Sequence, residues 1–302
     1  MPAAEVVIDI ALVAGLVEDQ HPDLAGRTLH LLGHGWDNQS YRLGDDLLVR
    51  LPRRAFAADL IIHEQRWLGE LAARLPLPIP APVRVGRPGR GYPWSWSIVP
   101  WLAGEPWEVA PPADTTRSAR RLGAFLAALH RPAPDGAPHN PLRGVPLADR
   151  AARFEDALGA LGDRIDAARC RALFAELVAA PAWDAAPVWL HGDVHPLNLL
   201  VADGELAAVV DFGDICAGDP ASDLSVAWMV VPAADRPAFR EAAGAWRAID
   251  DATWRRAWGW ALVLGIAFLA GSDDNPVTAS IGRRTLAAAL ADDERGDDEA
   301  GR

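Results

Sequence analysis

Apolar and polar positions alternate in two different ways along the chain, and the change falls near residue 105. Before it, short apolar runs are separated by glycine, proline and polar turns, which is typical of β-strands. These runs predict strands at 29–32, 41–43, 47–51, 83–86 and 94–99. Two longer segments, 8–18 and 56–73, carry apolar residues three and four positions apart and predict helices.

After residue 105 the helical spacing dominates. Helices are predicted at 115–131, 147–161, 166–180, 219–228, 234–249, 251–270 and 276–292. The last stretch, 293–302, is rich in Asp, Glu and Gly and is predicted to be a disordered tail. A small strand-rich region followed by a larger helical region indicates an α+β protein.

One stretch combines apolar strands with closely spaced polar residues. His191-Gly192-Asp193 precedes Asn198, a short apolar strand follows, and Asp203-Gly204 is a two-residue hairpin turn. The returning strand ends at Asp211-Phe212-Gly213. Because a tight hairpin returns the chain to its starting point, we expect Asp193, Asn198 and Asp211 to lie near one another. Three oxygen-bearing side chains suit a hard divalent cation that also contacts phosphate.

The same order and spacing occur in phosphoryl-transfer enzymes. There an Asp accepts the proton of a hydroxyl, an Asn after four intervening residues binds Mg²⁺, and an Asp-Phe-Gly supplies another Mg²⁺ ligand. A β-hairpin with surface carboxylates would explain a single motif. Two motifs in the right order, joined by a hairpin, favour the functional interpretation.

These motifs together resemble the signature of the aminoglycoside phosphotransferase family, small-molecule kinases with a protein-kinase-like fold. Gly192 replaces the arginine of protein kinases, and the chain has no segment ending in Ala-Pro-Glu. The resemblance implies a two-lobed α+β fold. A nucleotide-binding lobe with a small antiparallel sheet and a helix would span 1–101, and a mainly helical catalytic and acceptor-binding lobe would span 102–292.

The resemblance also implies a reaction, in which the γ-phosphate of a nucleoside triphosphate moves to a hydroxyl of a small molecule. Asp193 would be the catalytic group that orients the hydroxyl and accepts its proton. Asn198 and Asp211 would bind Mg²⁺. The triphosphate would be ATP or GTP. A nucleotide-binding module without catalysis is a competing hypothesis, and the presence of all three polar residues argues against it.

Arg50 stands where protein kinases carry the lysine that binds nucleotide phosphates, and this chain contains no lysine. Arginine stays charged and binds phosphate through two parallel hydrogen bonds, so Arg50 suits the role. Glu64 lies on the apolar face of its predicted helix and would pair with Arg50. The alternatives are an Arg50 that faces solvent and a Glu64 that pairs with Arg53 or Arg54.

The loop at 33–40 contains glycines and connects two predicted strands, which is the layout of a hairpin that covers phosphates. Within it, Asn38 and Ser40 are the candidates for phosphate contact, although a plain hairpin with a polar tip would explain the pattern equally well. The resemblance places the connection between the lobes at 98–102. Its adenine-binding residues would be Val99, Trp101 and Leu102, since the intervening proline has no N–H.

Net charge, the length of apolar runs and the cysteine content limit the partners and the location that the sequence favours. The net charge of −12 disfavours nucleic acid and anionic membranes and is compatible with a cationic substrate. No apolar run is long enough to cross a bilayer. The two cysteines, Cys170 and Cys216, lie far apart and fit a reducing cytoplasm, and nothing indicates an obligate protein partner.

The acceptor most strongly implied is an aminoglycoside-type antibiotic. The alternatives are a macrolide or a metabolite such as a sugar, a choline-like amine or an amino-alcohol. Possible acceptor contacts in the second lobe are Glu155, Asp156, Asp273, Asp274, Trp258 and Trp260. Solvated helix faces and core tryptophans would explain these residues equally well.

Three further residues are predicted to be structural. Asp219 is expected to cap the helix that follows it. Asp223 is expected to brace the loop at 191–193 through hydrogen bonds. His130, at the end of the helix predicted over 115–131, is expected to be structural.

Overall fold

The computed structural model describes residues 3–272 and 275–300, with side chains as far as Asp293. Contacts divide the chain into two compact units. The first comprises Met1–Gly104 and Ala207–Ile215, and the second comprises Glu105–Leu206 and Cys216–Arg302. A late segment, Ala207–Ile215, thus belongs with the first unit, and the boundary after residue 101 stays a prediction.

The first unit is built on a five-stranded antiparallel sheet with the strand order β1-β2-β3-β5-β4. Its elements are α1 (Ile10–Gln20), β1 (Leu29–His34), β2 (Asn38–Leu43), β3 (Leu47–Pro52), α2 (Ala55–Ala72), β4 (Arg84–Gly86) and β5 (Trp96–Pro100). Alternate side chains of β2 and β3 point to one face of the sheet. There they form a buried core with α1, whose members include Leu16, Val17, Tyr41, Val49 and Leu51.

The second unit is mainly helical and surrounds α9. Its elements are β6 (Glu105–Pro106), α3 (Thr115–Leu129), α4 (Ala151–Leu161), α5 (Ala167–Val178), β7 (Val188–Leu190), β8 (Leu199–Ala202), β9 (Glu205–Val209), β10 (Cys216–Gly218), α6 (Ala221–Leu224), α7 (Ala227–Val230), α8 (Arg236–Ala243), α9 (Asp251–Ala270) and α10 (Pro276–Ala300). β9 begins in this unit and ends in the first. Because α4, α5, α6, α7 and α10 all pack on α9, that helix is apolar on nearly every face.

Three predicted helices differ from the structure, and the one expected over 234–249 is α8, which ends at Ala243. The helix expected over 219–228 is split into α6 and α7, and the hydroxyl of Ser225 donates to the carbonyl of Ser222 at 2.6 Å, a local bond that competes with helical pairing. The helix expected to end at 292 continues to Ala300 as α10, through most of the stretch expected to be a disordered tail. The α+β class predicted from the sequence is confirmed.

None of the helices in the described part of the chain is both long and apolar enough to cross a membrane.

Candidate functional site

Arg50 and Glu64 form a buried ion pair inside the first unit. Arg50 lies in β3, and Glu64 belongs to the buried stripe of α2, which recurs every three or four residues. The Nη1 atom of Arg50 lies 2.6 Å from Oε2 of Glu64, and the two residues are 7% and 1% exposed. The predicted pair is therefore present, and neither Arg53 nor Arg54 replaces Arg50 in it.

A third charge adjoins this pair. Oδ1 of Asp211 lies 3.7 Å from Nη2 of Arg50. Burial alone would lower the pKa of Arg50, but the negative charges of Glu64 and Asp211 raise it above its usual range. Removal from water raises the pKa of Glu64, and the guanidinium of Arg50 opposes that shift. Arg50 is thus a fixed cation that is hydrogen-bonded to Glu64 and lies farther from Asp211.

The backbone around Asp211 turns its side chain towards solvent. Its φ of +63° is a left-handed conformation that non-glycine residues seldom adopt. Phe212, the next residue, is completely buried, and its carbonyl accepts a hydrogen bond from Ile215. The Asp211 side chain is 58% exposed. The burial of Phe212 therefore fixes a strained turn that presents the carboxylate of Asp211 to solvent.

Arg53 and Arg54 hold the hairpin turn between β1 and β2. Nη1 of Arg53 donates to the carbonyl of Gly35 at 2.8 Å, and Arg54 pairs with Asp37 at 2.7 Å. The amide of Gly35 donates to the carbonyl of Asn38. The loop expected over 33–40 is therefore a tight turn of three residues, because β1 and β2 extend into it.

This shortening changes the place of the two predicted phosphate contacts. Asn38 and Ser40 lie in β2, opposite Pro52 and Arg50 of β3, and both are half-buried. Oδ1 of Asn38 is buried and has no hydrogen-bond partner among the described residues. Ser40 is thus the direct strand neighbour of Arg50, whereas Asn38 stands beside the turn.

The predicted adenine-binding segment is partly occupied by the sheet itself. The N–H of Trp101 donates to the carbonyl of Asp46 at 2.8 Å, and the guanidinium of Arg42 lies 3.9 Å from the centre of the Trp101 ring. Val99 is fully buried and pairs with Leu48 of β3. The β3–β5 ladder therefore continues through Trp101 and engages its N–H, while the place of Trp101 in adenine binding stays a prediction. Leu102 remains the candidate donor.

The second unit holds the other half of the predicted residues, in the loop between β7 and β8. The carboxylate of Asp223 accepts the N–H groups of His191 at 2.8 Å and Gly192 at 3.0 Å. His130 Nε2 lies 3.1 Å from the same carboxylate. The φ of Gly192 is +84°, so a side chain at this position would strain the turn. The predicted brace by Asp223 is confirmed, and His130 takes part in it.

Asp193 is presented by this braced loop, with Arg143 and His195 beside its carboxylate. Oδ1 lies 2.7 Å from Nη2 of Arg143, and Oδ2 lies 3.3 Å from Nε2 of His195. Burial raises the pKa of the carboxyl, but His195 and Arg143 beside it outweigh that effect, so the pKa of Asp193 is held well below its usual range. Asp193 is therefore an ionised hydrogen-bond acceptor at neutral pH.

Asn198 is oriented by the same loop. Its Nδ2 donates to the carbonyl of Asp193 at 2.9 Å and lies 3.2 Å from Nε2 of His195. This fixes the amide so that its carbonyl oxygen remains for another ligand. The carbonyl of Asn198 and the carboxylate of Asp211 are the oxygen donors that Mg²⁺ prefers. Among residues 3–272 and 275–300, no three His, Cys, Asp or Glu side chains gather into a metal cluster.

Arg143 has no counterpart in the prediction. It lies in a segment of prolines and glycines that the sequence marks only as a loop. The following residue, Gly144, has a φ of +64°, and an added Cβ would lie 2.4 Å from Leu190 and 3.1 Å from Gly218. The amide of Asp219 donates to the carbonyl of Gly144 at 3.0 Å. Arg143 is therefore carried into place by a backbone packed on β7 and β10.

Asp219, which the sequence predicts as a helix cap, mainly forms a buried ion pair. The helix cap is Pro220, although Oδ1 of Asp219 accepts the N–H of Ala221. Its main partner is Arg256 of α9, at 2.7 Å, and both side chains are buried. The pair joins α9 to the segment after β10, at a position that sequence spacing does not reveal.

The described side chains among those proposed for the acceptor are either exposed on a helix or engaged in packing. Glu155 pairs with Arg171 at 2.9 Å on an exposed face, and Asp156 is exposed. Trp258 donates to the carbonyl of Ala289, and Trp260 is completely buried. Two other candidates, Asp273 and Asp274, lie outside the described residues.

Known proteins share this fold. The chain resembles the GDP and kanamycin complex of APH(2″)-IIIa with a TM-score of 0.69 and 19% identity, over 93% of this chain and 98% of that one. It resembles macrolide 2'-phosphotransferase MphH from Brachybacterium faecium with a TM-score of 0.62 and 22% identity, over 91% and 98%. It resembles the streptomycin–ATP–APH(2″)-IIa ternary complex with a TM-score of 0.60 and 16% identity, over 91% of this chain and 95% of that one. At these identities the likeness is one of fold, and the predicted kinase-like fold is confirmed.

A comparison with curated proteins by sequence finds no match. The sequence profile of the phosphotransferase enzyme family, however, matches residues 28–260, which include Arg50, Asp193 and Asp211. The match covers well over half of the chain, and the chain therefore belongs to the phosphotransferase enzyme family.

Proposed function

We propose that the protein transfers the γ-phosphate of a nucleoside triphosphate to a hydroxyl of a small molecule. The observation that carries the proposal is the setting of Asp193. Its carboxylate is ionised, its loop is fixed by two backbone hydrogen bonds to Asp223, and the neighbouring Asn198 is oriented by the same backbone. A carboxylate fixed in this way is suited to orient a hydroxyl and receive its proton.

The roles of the residues in the second unit follow from this. One oxygen of Asp193 accepts from Arg143 and the other lies beside His195, and each oxygen has a further lone pair that can accept a substrate hydroxyl. A low pKa makes Asp193 a weak base in the ground state. Its main contribution is therefore to align the hydroxyl, and the proton moves to it late, as the bond to phosphorus forms.

The residues of the first unit would act on the nucleotide. Arg50, kept charged by Glu64, would bind phosphate oxygens, and Ser40 and Asn38 on the neighbouring strand would stand beside them. The backbone of Leu102, after the buried Val99, would bind the base. The relatives include complexes with GDP and with ATP, which support a nucleotide of either type.

Asn198 and Asp211 are the residues that would hold Mg²⁺. Both offer oxygen donors that hydrogen bonding or exposure leaves available. When bound, Mg²⁺ would neutralise negative charge on the phosphate oxygens. We retain the two-lobe division at residues 101 and 102, and the cytoplasmic location, as predictions.

The acceptor belongs to one of three classes. The relatives act as aminoglycoside and macrolide phosphotransferases, which supports an antibiotic acceptor, with an aminoglycoside first. A metabolite hydroxyl is the second candidate.

Asp193→Asn tests the proposed reaction. The amide keeps the shape but cannot accept a proton, so we expect kcat to fall about 10²- to 10⁴-fold with the KM for nucleotide nearly unchanged. The assay is nucleotide consumption with Mg²⁺ and ATP or GTP across aminoglycosides, macrolides, sugars and amino-alcohols. A variant that turns over within a few-fold of the wild type would remove Asp193 from the chemistry. Nucleotide binding without turnover of any acceptor would favour the non-catalytic module.

A further inference from the structure

The side chain of His195 has a polar neighbour at each of its two ring nitrogens. Nδ1 accepts the N–H of Leu197 at 3.2 Å, and Nε2 lies 3.3 Å from Oδ2 of Asp193. The side chain is 14% exposed and stands two residues after Asp193, in the loop between β7 and β8. The ring therefore connects the backbone of this loop to the carboxylate on which the proposed reaction depends.

The bond at Nδ1 determines which nitrogen carries the ring proton. A backbone N–H can only donate, so Nδ1 holds a lone pair and the proton is on Nε2. A proton on Nε2 faces the ionised carboxylate of Asp193, and hydrogen bonds to ionised groups are stronger than those between neutral groups. Nε2 of His195 is therefore the donor, and Oδ2 of Asp193 is the acceptor.

The amide of Asn198 lies close to the same nitrogen but has a better acceptor. Its Nδ2 is 3.2 Å from Nε2 of His195 and 2.9 Å from the carbonyl of Asp193. Because the carbonyl oxygen is nearer and cannot donate, the amide bonds to the carbonyl. Nε2 is thus left to the carboxylate of Asp193.

Phe268 of α9 restricts the orientation of the His195 ring. The two rings meet edge to face, with centroids 5.7 Å apart and an angle of 89° between their planes. Aromatic rings prefer this arrangement, and the N–H of Leu197 adds a second restraint at Nδ1. Packing and hydrogen bonding together therefore hold Nε2 on one side of Asp193.

The carboxylate of Asp193 is held from two sides. Nη2 of Arg143 donates to Oδ1 at 2.7 Å, and Nε2 of His195 donates to Oδ2. Rotation of the carboxylate would break these bonds, so the directions of its remaining lone pairs are fixed. A base whose lone pairs are fixed keeps an accepted hydroxyl in line for attack, and orientation of this kind accounts for a large part of many catalytic rates.

We propose that His195 is a positioning residue for Asp193, and that its Nε2–H fixes the direction in which the carboxylate accepts the hydroxyl of the acceptor. The inference rests on the proposed function for the role of Asp193. The alternative is a purely structural role, because His195 precedes the helical turn Pro196–Asn198 and caps it through Nδ1. The two roles use different nitrogens and can be separated by substitution.

Two substitutions distinguish the nitrogens. The side chain of asparagine reaches the place of Nδ1, so His195→Asn can accept the N–H of Leu197 but brings no donor to Asp193. The longer side chain of glutamine reaches the place of Nε2, so His195→Gln can donate to Asp193 but is a poor cap for the turn. His195→Ala removes both contacts and serves as the baseline.

Activity should follow the donor at Nε2. The assay uses Mg²⁺, nucleotide and the acceptor that nucleotide consumption selects. His195→Ala and His195→Asn should lower kcat about 10- to 100-fold with the KM for nucleotide nearly unchanged, and His195→Gln should recover most of the loss. Stability in urea should follow the cap instead, with His195→Asn close to the wild type and His195→Gln below it. Normal turnover by His195→Asn, or a His195→Gln as slow as His195→Ala, would overturn the proposal.

A further measurement does not depend on turnover. Proton–nitrogen NMR of the wild type distinguishes the two ring nitrogens, and the signals of His195 are identified by their loss in His195→Gln. We expect a proton on Nε2 and a bare Nδ1. A bare Nε2 would overturn the proposal. If the wild type consumes no acceptor, the proposed function fails, whereas a proton on Nε2 would still support the contact between His195 and Asp193.

Discussion

Arg50 and Arg150 are equally buried, and their surroundings are opposite. Arg50 lies 2.6 Å from Glu64 with Asp211 nearby, and these negative charges raise its pKa. Arg150 has the aromatic ring of Trp260 on one side and no carboxylate among the described residues. Burial and the positive charges of Arg143 and Arg153 lower its pKa.

The difference separates two uses of a buried cation. A paired arginine is held in place by the fold through its carboxylate partner. An arginine that is buried without such a partner costs stability. Both remain protonated at neutral pH, since guanidinium groups do not lose their proton in proteins. The comparison can be tested by altering each region in turn.

The largest effect is expected at Glu64. Glu64→Gln keeps the shape of the side chain but leaves Arg50 without its close partner, and breaking a buried pair from one side costs about 3–5 kcal/mol. The free energy of unfolding should fall by this amount in urea denaturation, with an unchanged m-value. A loss below about 1 kcal/mol would show that Asp211 alone can stabilise the charge of Arg50 and that the pair with Glu64 contributes little.

A smaller effect is expected for Arg143→Gln. The lowered pKa of Asp193 contributes stability that is present above the unfolded pKa of about 3.9 and is lost as pH falls through the folded pKa. Without Arg143 the folded pKa rises, and stability at neutral pH should fall by about 1.5–3 kcal/mol, with little difference in strong acid. Because only the ionised carboxylate accepts a proton, the acid limb of kcat should move to higher pH. If the acid limb of kcat stays at the same pH, Arg143 is not the cause of the lowered pKa of Asp193.

Arg150→Met should change stability in the opposite direction. Methionine fills a similar volume beside Trp260 and removes a buried charge that lacks a partner, so stability should rise by about 1 kcal/mol. Thermal unfolding would show a higher melting temperature. A less stable Arg150→Met would show that the contact with Trp260 outweighs the cost of the buried charge and would end the contrast with Arg50.

The smallest effect belongs to Glu155→Gln. The pair of Glu155 with Arg171 is exposed on both sides, and such pairs contribute less than about 1 kcal/mol. Unfolding in urea and the KM of every acceptor should be nearly unchanged. A marked rise in the KM of a cationic acceptor would restore the acidic acceptor surface predicted from the sequence.

The sequence was sufficient where local pattern and chemistry agree. Glu64 stands out because a carboxylate interrupts an apolar helical stripe, and that alone indicates a buried cation as its partner. The hairpin between Asn198 and Asp211 follows from a two-residue turn with strong local preference. The brace by Asp223 was likewise predictable, since it follows the motif in a fixed order.

The parts that escaped prediction depend on packing between distant segments. Arg143 reaches Asp193 because Gly144 fits against β7 and β10, and no periodicity marks that contact. Arg150 is buried because Gly259 lets a short turn approach α9. The N–H of Trp101 is taken by Asp46, because the ladder between β3 and β5 extends beyond the pattern of the strand. Each of these depends on a tertiary fit that spacing along the chain does not encode.

Arg50 also determines how the protein can be detected chemically. Nucleotide analogues that carry an activated acyl group label kinases by acylating the amine of a phosphate-binding lysine. A guanidinium that stays protonated is a poor nucleophile, and this chain has no lysine elsewhere to react in its place. Surveys of nucleotide-binding enzymes by lysine acylation should therefore pass over this protein.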